Sequence, residues 1–251
     1  MERNFSERAQ ETRQLERWNQ VYRSQPELFR LFERAEDAEG LAAHALAKRA
    51  GLAGQRVLEI GCGTGWLTRH IAGLAEEYVA VEPSPEMLAQ AGDLTPAHVL
   101  RARGERLPFA ADSFDRVVMS WVLLDLRPAM REQVLAECDR VLKYASNSDY
   151  PTGKTPGIWL VENAASGDFQ ALRNLLDEEG HGEAAPLIFE HGFTQVTTVP
   201  TRMQFQSTEE ARRVLSAILG TQAEQRLAAA PRASFGLDLG LFFRSGGSRP
   251  S

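Results

Sequence analysis

The spacing of apolar and polar positions changes period along this chain, and each change marks an element. Ahead of residue 55 the period is helical. Leu15, Trp18, Val21 and Tyr22 share one face of a stretch otherwise rich in Arg, Glu and Gln. Ser24 and Pro26 read as a helix start with Leu28, Phe29 and Phe32 on its apolar face. A further helical pattern through Leu41, Ala45 and Leu46 ends at Gly51 and Gly54. From 57 onward, short β-branched runs alternate with helical ones. Strands are predicted at 57–60, 78–82, 98–103, 116–120 and 158–163. Helices are predicted from about Thr64 to Ala72, from Ser84 and Pro85, over 128–142 and over 168–179. The 128–142 helix carries the stripe Val134, Leu135, Cys138, Val141, Leu142. Strand 194–199, helices 208–219 and about 221–229, and a last strand 237–243 complete the pattern, which is that of an α/β chain.

Composition narrows this further. A chain of 251 residues with 43% hydrophobic and 25% charged residues supports one ordinary domain, or one domain with an appended cap. The net charge of -6 gives no global bias toward nucleic acid or an anionic membrane. The two cysteines, Cys62 and Cys138, are far apart and have no metal-ligand spacing, so no metal is expected. The N-terminus lacks an apolar leader and no run reaches membrane-spanning length, so the expectation is a cytoplasmic protein. Residues 143–157 form a long polar link at the edge opposite the strand C-termini, expected to be a mobile surface insertion. The tail 246–251 is flexible by composition.

The chemistry concentrates in Glu59-Ile60-Gly61-Cys62-Gly63-Thr64-Gly65-Trp66, where a buried strand runs through a turn of alternate glycines into a helix. Glycines let the backbone turn tightly and approach a ligand. A dinucleotide fingerprint needs a third glycine where this chain has Trp66, and a pyrophosphate would be repelled by Glu59 two residues before the turn. A ligand bearing ammonium and sulfonium charges would not. Glu82 ends the second strand, where an acid accepts ribose hydroxyls in adenosine-binding sheets.

The run resembles the first motif of class I S-adenosylmethionine-dependent methyltransferases, and Gly104-Glu105-Arg106-Leu107 resembles their second. The resemblance covers roughly 57–163. It implies a three-layer Rossmann-like α/β sheet, mostly parallel with an antiparallel last strand. Residues 1–55 would be a helical cap, 56–245 the cofactor-binding domain, and 201–235 a helical insertion ahead of the last strand. It further implies that Glu59, Gly61, Cys62, Gly63 and Gly65 hold the methionine end of S-adenosylmethionine. Glu82 and Pro83 would hold the ribose, while Met87, Glu105, Arg106 and Leu107 surround adenine, Glu105 receiving its amino group, and Ser120 and Trp121 wall the sulfonium. Many relatives have a His pair where Leu124 and Asp125 stand, so no histidine base is expected there, and Asp125 and Asn163 are the acceptor-side nominations. Trp18 and Tyr22, with Asp125 and Asn163, are read as facing a small organic acceptor. The protein is expected to act as a monomer or homodimer. Transfer to RNA or protein, and a non-catalytic subunit that binds S-adenosylmethionine, are the competing readings. A nicotinamide oxidoreductase is disfavoured by Glu59 and the glycine spacing.

Overall fold

In the computed structural model of the chain, the described residues are 20–22, 24–143, 155–164, 166–173 and 184–246. The elements are α1 (Pro26–Ala35), α2 (Leu41–Ala50), β1 (Arg56–Ile60), α3 (Trp66–Ile71), β2 (Glu77–Glu82), α4 (Pro85–Ala91), β3 (His98–Arg101) and β4 (Arg116–Ser120). They continue with α5 (Pro128–Val141), β5 (Gly157–Asn163), α6 (Asp168–Arg173), α7 (Ala184–Glu190), β6 (Thr194–Gln204), α8 (Thr208–Leu219), α9 (Thr221–Ala229) and β7 (Ser234–Ser245).

One seven-stranded sheet runs in the order β3-β2-β1-β4-β5-β7-β6. β1 pairs parallel with β2 and β4, β2 with β3, and β4 with β5, while β7 runs antiparallel to β5. Val57, Leu58 and Ile60 are buried because a parallel strand is covered on both faces, which explains the unbroken apolar run in the sequence. The chain leaves β1 for β2 and β3 on one side and returns to β4 on the other. That reversal opens a crevice at the strand C-termini, between β1 and β4, where ligands bind in open α/β sheets. Beneath it, Leu58, Ile60, Val117, Met119 and Leu160 pack with Val134, Leu135 and Cys138 of α5, the predicted stripe.

Four elements differ in extent from the sequence pattern. The helix after the glycine turn begins at Trp66, because Gly65 at φ 91° cannot take helical backbone. β3 stops at Arg101 and is exposed at every residue, as an edge strand can be. β6 and β7 are longer than expected. In β6, Thr201 and Met203 are buried while Arg202 and Gln204 are exposed, a period-two alternation in which polar residues simply occupy the open face. Trp18, most of the 143–157 link, the second half of the 168–179 helix and residues 247–251 lie outside the described residues.

Backbone contacts divide the chain into two units: the described residues of Met1–Glu39, Ala164–Ala184 and Pro200–Asp238, and those of Gly40–Asn163, Ala185–Val199 and Leu239–Ser251. The division ignores chain order. Helix α1 falls in the first unit with α8 and α9, and α2 falls in the second. In the first unit Arg34 of α1 pairs with Glu210 of α8 at 2.9 Å, and Phe32, Phe169 and Phe235 form a chain of rings 6.1 and 6.4 Å apart. This ring chain links α1, α6 and the first residues of β7 there.

Candidate cofactor site

The turn after β1 is fixed by backbone bonds. Gly61 and Cys62 N–H groups both donate to Val81 O, at 2.8 and 3.1 Å, and Gly65 N–H donates to Cys62 O at 2.7 Å. Gly61 and Gly65 take positive φ values of 72° and 91°, and each is crowded by a neighbouring side chain. A Cβ on Gly61 would lie 2.6 Å from a Val122 methyl, and one on Gly65 would lie 2.4 Å from a Leu94 methyl. Gly63, at φ 56°, sits between them. Cys62 is buried, as a small thiol inside such a turn must be.

Two carboxylates brace this turn. Glu82 is buried at the end of β2, where its Oε2 accepts the Gly63 N–H at 3.1 Å and its Oε1 accepts the Ser84 N–H at 2.8 Å. It thereby ties the turn after β1 to the turn after β2. Glu59 is fully buried below the turn; its Oε2 accepts the hydroxyls of Thr68 and Tyr78, the latter at 2.9 Å. Burial, with the Glu59 charge second, drives the Tyr78 phenol well above its ordinary pKa, so it stays a donor. Pro83 follows, its carbonyl accepting from Arg101 Nε at 3.3 Å. Ser84 caps α4 through Met87 N–H at 3.2 Å, and the Met87 side chain is fully buried in the core.

Beyond β3, the nominated adenine segment is held from α5. Leu107 is buried, Arg106 is exposed, and Glu105 is partly buried with Arg103 at 3.4 Å. Glu137 Oε2 accepts the Leu107 N–H at 2.7 Å, while Arg140 donates to Leu107 O at 3.2 Å and Phe109 O at 2.8 Å. After β4, Ser120 is followed by Trp121 with φ 52°, a left-handed backbone that a bulky residue rarely adopts. It is restrained by its N–H on Val161 O at 3.0 Å and by its indole Nε1–H on Asn163 Oδ1 at 3.3 Å. Its ring meets Trp66 at 4.7 Å, and Trp66 in turn meets His70 at 5.8 Å. His70 lies 5.6 Å from His44, and its pKa is lowered by burial first, then by His44 and Arg69. Asp125 is partly buried and its N–H donates to Val122 O at 3.2 Å, while Arg131 of α5 donates to Leu123 O at 2.9 Å and Leu124 O at 2.8 Å.

The second unit thus gathers the nominated residues from Glu59 through Trp121, Asp125 and Asn163 onto the C-terminal edge of β1, β2, β4 and β5. Tyr22 belongs to the first unit, where its ring meets Phe29 edge-on at 5.2 Å. A cavity of about 260 Å³ in that unit, floored by Leu172, Leu227 and Phe235 and edged by Arg226 and Arg232, contains none of the nominated residues. Among the described residues no cluster of His, Cys, Asp or Glu forms a metal site. No helix there is long and apolar enough to cross a membrane.

Sequence reasoning missed the supporting residues Thr68, Tyr78, Arg131, Glu137 and Arg140. Only Arg131 left a mark in the pattern, as a charge on the same helical face as Val134, Leu135 and Cys138.

Residues 58–145 match the model of a methyltransferase domain. An uncharacterized methyltransferase of Synechocystis sp. is 34% identical over 91 residues, 36% of this chain and 43% of that protein. An uncharacterized methyltransferase of Mycobacterium tuberculosis is 30% identical over 129 residues, 51% of this chain and 49% of that protein. The match therefore spans less than half the length of each of these relatives. Among solved structures, the YcgJ protein of Bacillus subtilis superposes with a TM-score of 0.52 at 18% identity, covering 80% of this chain and 96% of that one, a likeness of fold.

Proposed function

We propose that the protein, whose residues 58–145 match a methyltransferase domain, transfers the methyl group of S-adenosylmethionine to a small organic acceptor. The observation that carries this is Glu82, a buried carboxylate at the end of β2 bonded to the backbone of the glycine turn. Such an acid beside such a turn suits the ribose diol of an adenosine ligand, and Glu59, two residues before the turn, disfavours the pyrophosphate of a dinucleotide.

The donor set fits the cofactor in parts. Glu82 and Pro83 hold the ribose. Glu105, Arg106 and Leu107 enclose the base, with buried Met87 packed beneath. The turn of Gly61, Cys62, Gly63 and Gly65 takes the methionine end, with Glu59 bracing it through Thr68 and Tyr78. Ser120 and the Trp121 face wall the sulfonium, and a cation over an indole gains about 0.5–2 kcal/mol.

S-adenosylmethionine, when bound, supplies an electrophilic methyl group on a cationic sulfur. The protein's part is alignment and exclusion of water, which lowers such a barrier by roughly 7–11 kcal/mol. Asn163 fixes the Trp121 ring through its indole N–H, and Arg131 fixes the 123–124 carbonyls ahead of Asp125. Asp125 and Asn163 orient the acceptor, and Asp125 takes a proton where the acceptor must lose one. The paired indoles of Trp66 and Trp121 and the net charge of -6 favour an uncharged or cationic organic acceptor over RNA. We extend the reading to the chain's organisation, with 1–55 a helical cap and 56–245 the cofactor-binding domain, in which 201–235 is a helical insertion ahead of the last strand.

Calorimetric titration with S-adenosylmethionine and with NAD, repeated on Glu82→Ala, tests this. Binding of the first ligand alone, lost in the variant, is the expected result. Binding of NAD alone, or of neither, returns the chain to an α/β domain of another function.

A further inference from the structure

We propose that Glu137 and Arg140 of α5 are positioning residues for adenine recognition, holding the 105–109 segment in the conformation that reads the base. This rests on the cofactor reading above. The two side chains form one ion pair, with Arg140 Nε on Glu137 Oε1 at 2.6 Å and Arg140 Nη2 on Glu137 Oε2 at 2.8 Å. The same pair takes both polar atoms of Leu107. The carboxylate accepts its N–H at 2.7 Å and the guanidinium donates to its carbonyl at 3.2 Å and to that of Phe109 at 2.8 Å. A residue gripped at both its N–H and its carbonyl cannot change conformation without breaking a charge-assisted bond.

The rest of the segment is anchored around that grip. The Leu107 side chain is buried, and Arg106 N–H closes a turn on Arg103 O at 3.2 Å. Gly104 packs where a Cβ would lie 3.0 Å from Ile60 and 3.2 Å from Val134. Glu105, the residue nominated to receive the adenine amino group, is thus suspended between two fixed points. The pair is part-buried, its side chains 20% and 36% exposed, and all three backbone groups it holds belong to the 105–109 segment.

The test is selectivity. S-adenosylhomocysteine and S-inosylhomocysteine, which differ at the base's 6-amino group, are titrated against the wild type, Arg140→Ala, Arg140→Lys and Glu137→Gln. The wild type is expected to prefer the adenine form by about ten-fold, the worth of one good hydrogen bond. Arg140→Ala should bring that preference to about two-fold or less. Arg140→Lys, which reaches one carbonyl where the guanidinium forks to two, should fall between. Glu137→Gln keeps an acceptor for the Leu107 N–H and should retain most of the preference. If Arg140→Ala does not fold, the ordering of the other two variants carries the test. Equal weakening of both ligands, with the preference intact, would mean a merely structural pair and would overturn the proposal. A wild type that binds both ligands alike overturns it while leaving the cofactor reading standing. A wild type that binds neither removes both.

Discussion

At the scale of single residues, the site rests on backbone conformations that cost energy. Gly61 has a positive φ of 72° and faces a Val122 methyl that a Cβ would meet at 2.6 Å. Gly61→Ala is expected to lower stability by about 1–3 kcal/mol from strain and overpacking together. Adding Val122→Ala should return only the overpacking share, because the left-handed backbone remains; denaturant midpoints of the single and double variants separate the two. Trp121 carries the opposite bargain, a large side chain kept at φ 52° by two hydrogen bonds. Asn163→Ala removes one of them, at an expected cost of about 0.5–1.5 kcal/mol. On the proposed mechanism, turnover should fall further than cofactor affinity, which single-turnover kinetics beside calorimetry would resolve.

Elements add effects that no residue has alone. α5 supplies the core stripe on one face and, from Arg131, Glu137 and Arg140, the grips that hold two loops at the crevice. Arg131 is buried with two loop carbonyls as acceptors, so Arg131→Ala should cost about 1–3 kcal/mol as those groups lose their donors. α3 brings His70 against His44 of α2 and Trp66 of its own first turn. The folded state lowers the His70 pKa below 6.5, chiefly by burial, so it favours the neutral ring. That contribution is complete above the unfolded pKa and is lost as pH falls through the folded one. The melting temperature should therefore decline as pH is lowered from 7 toward 5, less steeply in His70→Gln; melts of both proteins across that range check the sign.

Over the whole molecule, the second unit holds every nominated cofactor residue, and ligand binding should stabilise it by linkage. S-adenosylhomocysteine at a hundred times its Kd would add about 2.7 kcal/mol, and Glu82→Ala should abolish the accompanying rise in melting temperature. With a net charge of -6 the chain lacks the basic surplus that drives salt-dependent nucleic-acid binding, so retention on RNA at physiological salt is not expected.

The sequence by itself determined what depends on neighbours along the chain. Strand, acid, alternate glycines and helix announce the turn at 59–66, and the alternation after it announces a parallel sheet, because burial on both faces leaves an unbroken apolar run. Glu82 was legible for the same reason, as the acid that ends a strand. Tertiary structure decided what depends on residues far apart. That Thr68 and Tyr78 close on Glu59, and that Arg140 reaches back to Leu107, follows from helix and strand meeting in space. No local pattern encodes those partners, since a surface-type Glu and Arg three residues apart read as a solvated face. The helices ahead of β1 were legible from their own apolar spacing, whereas the assignment of α1 and α2 to different compact units was not, because compactness is set by which apolar faces find each other and not by order along the chain.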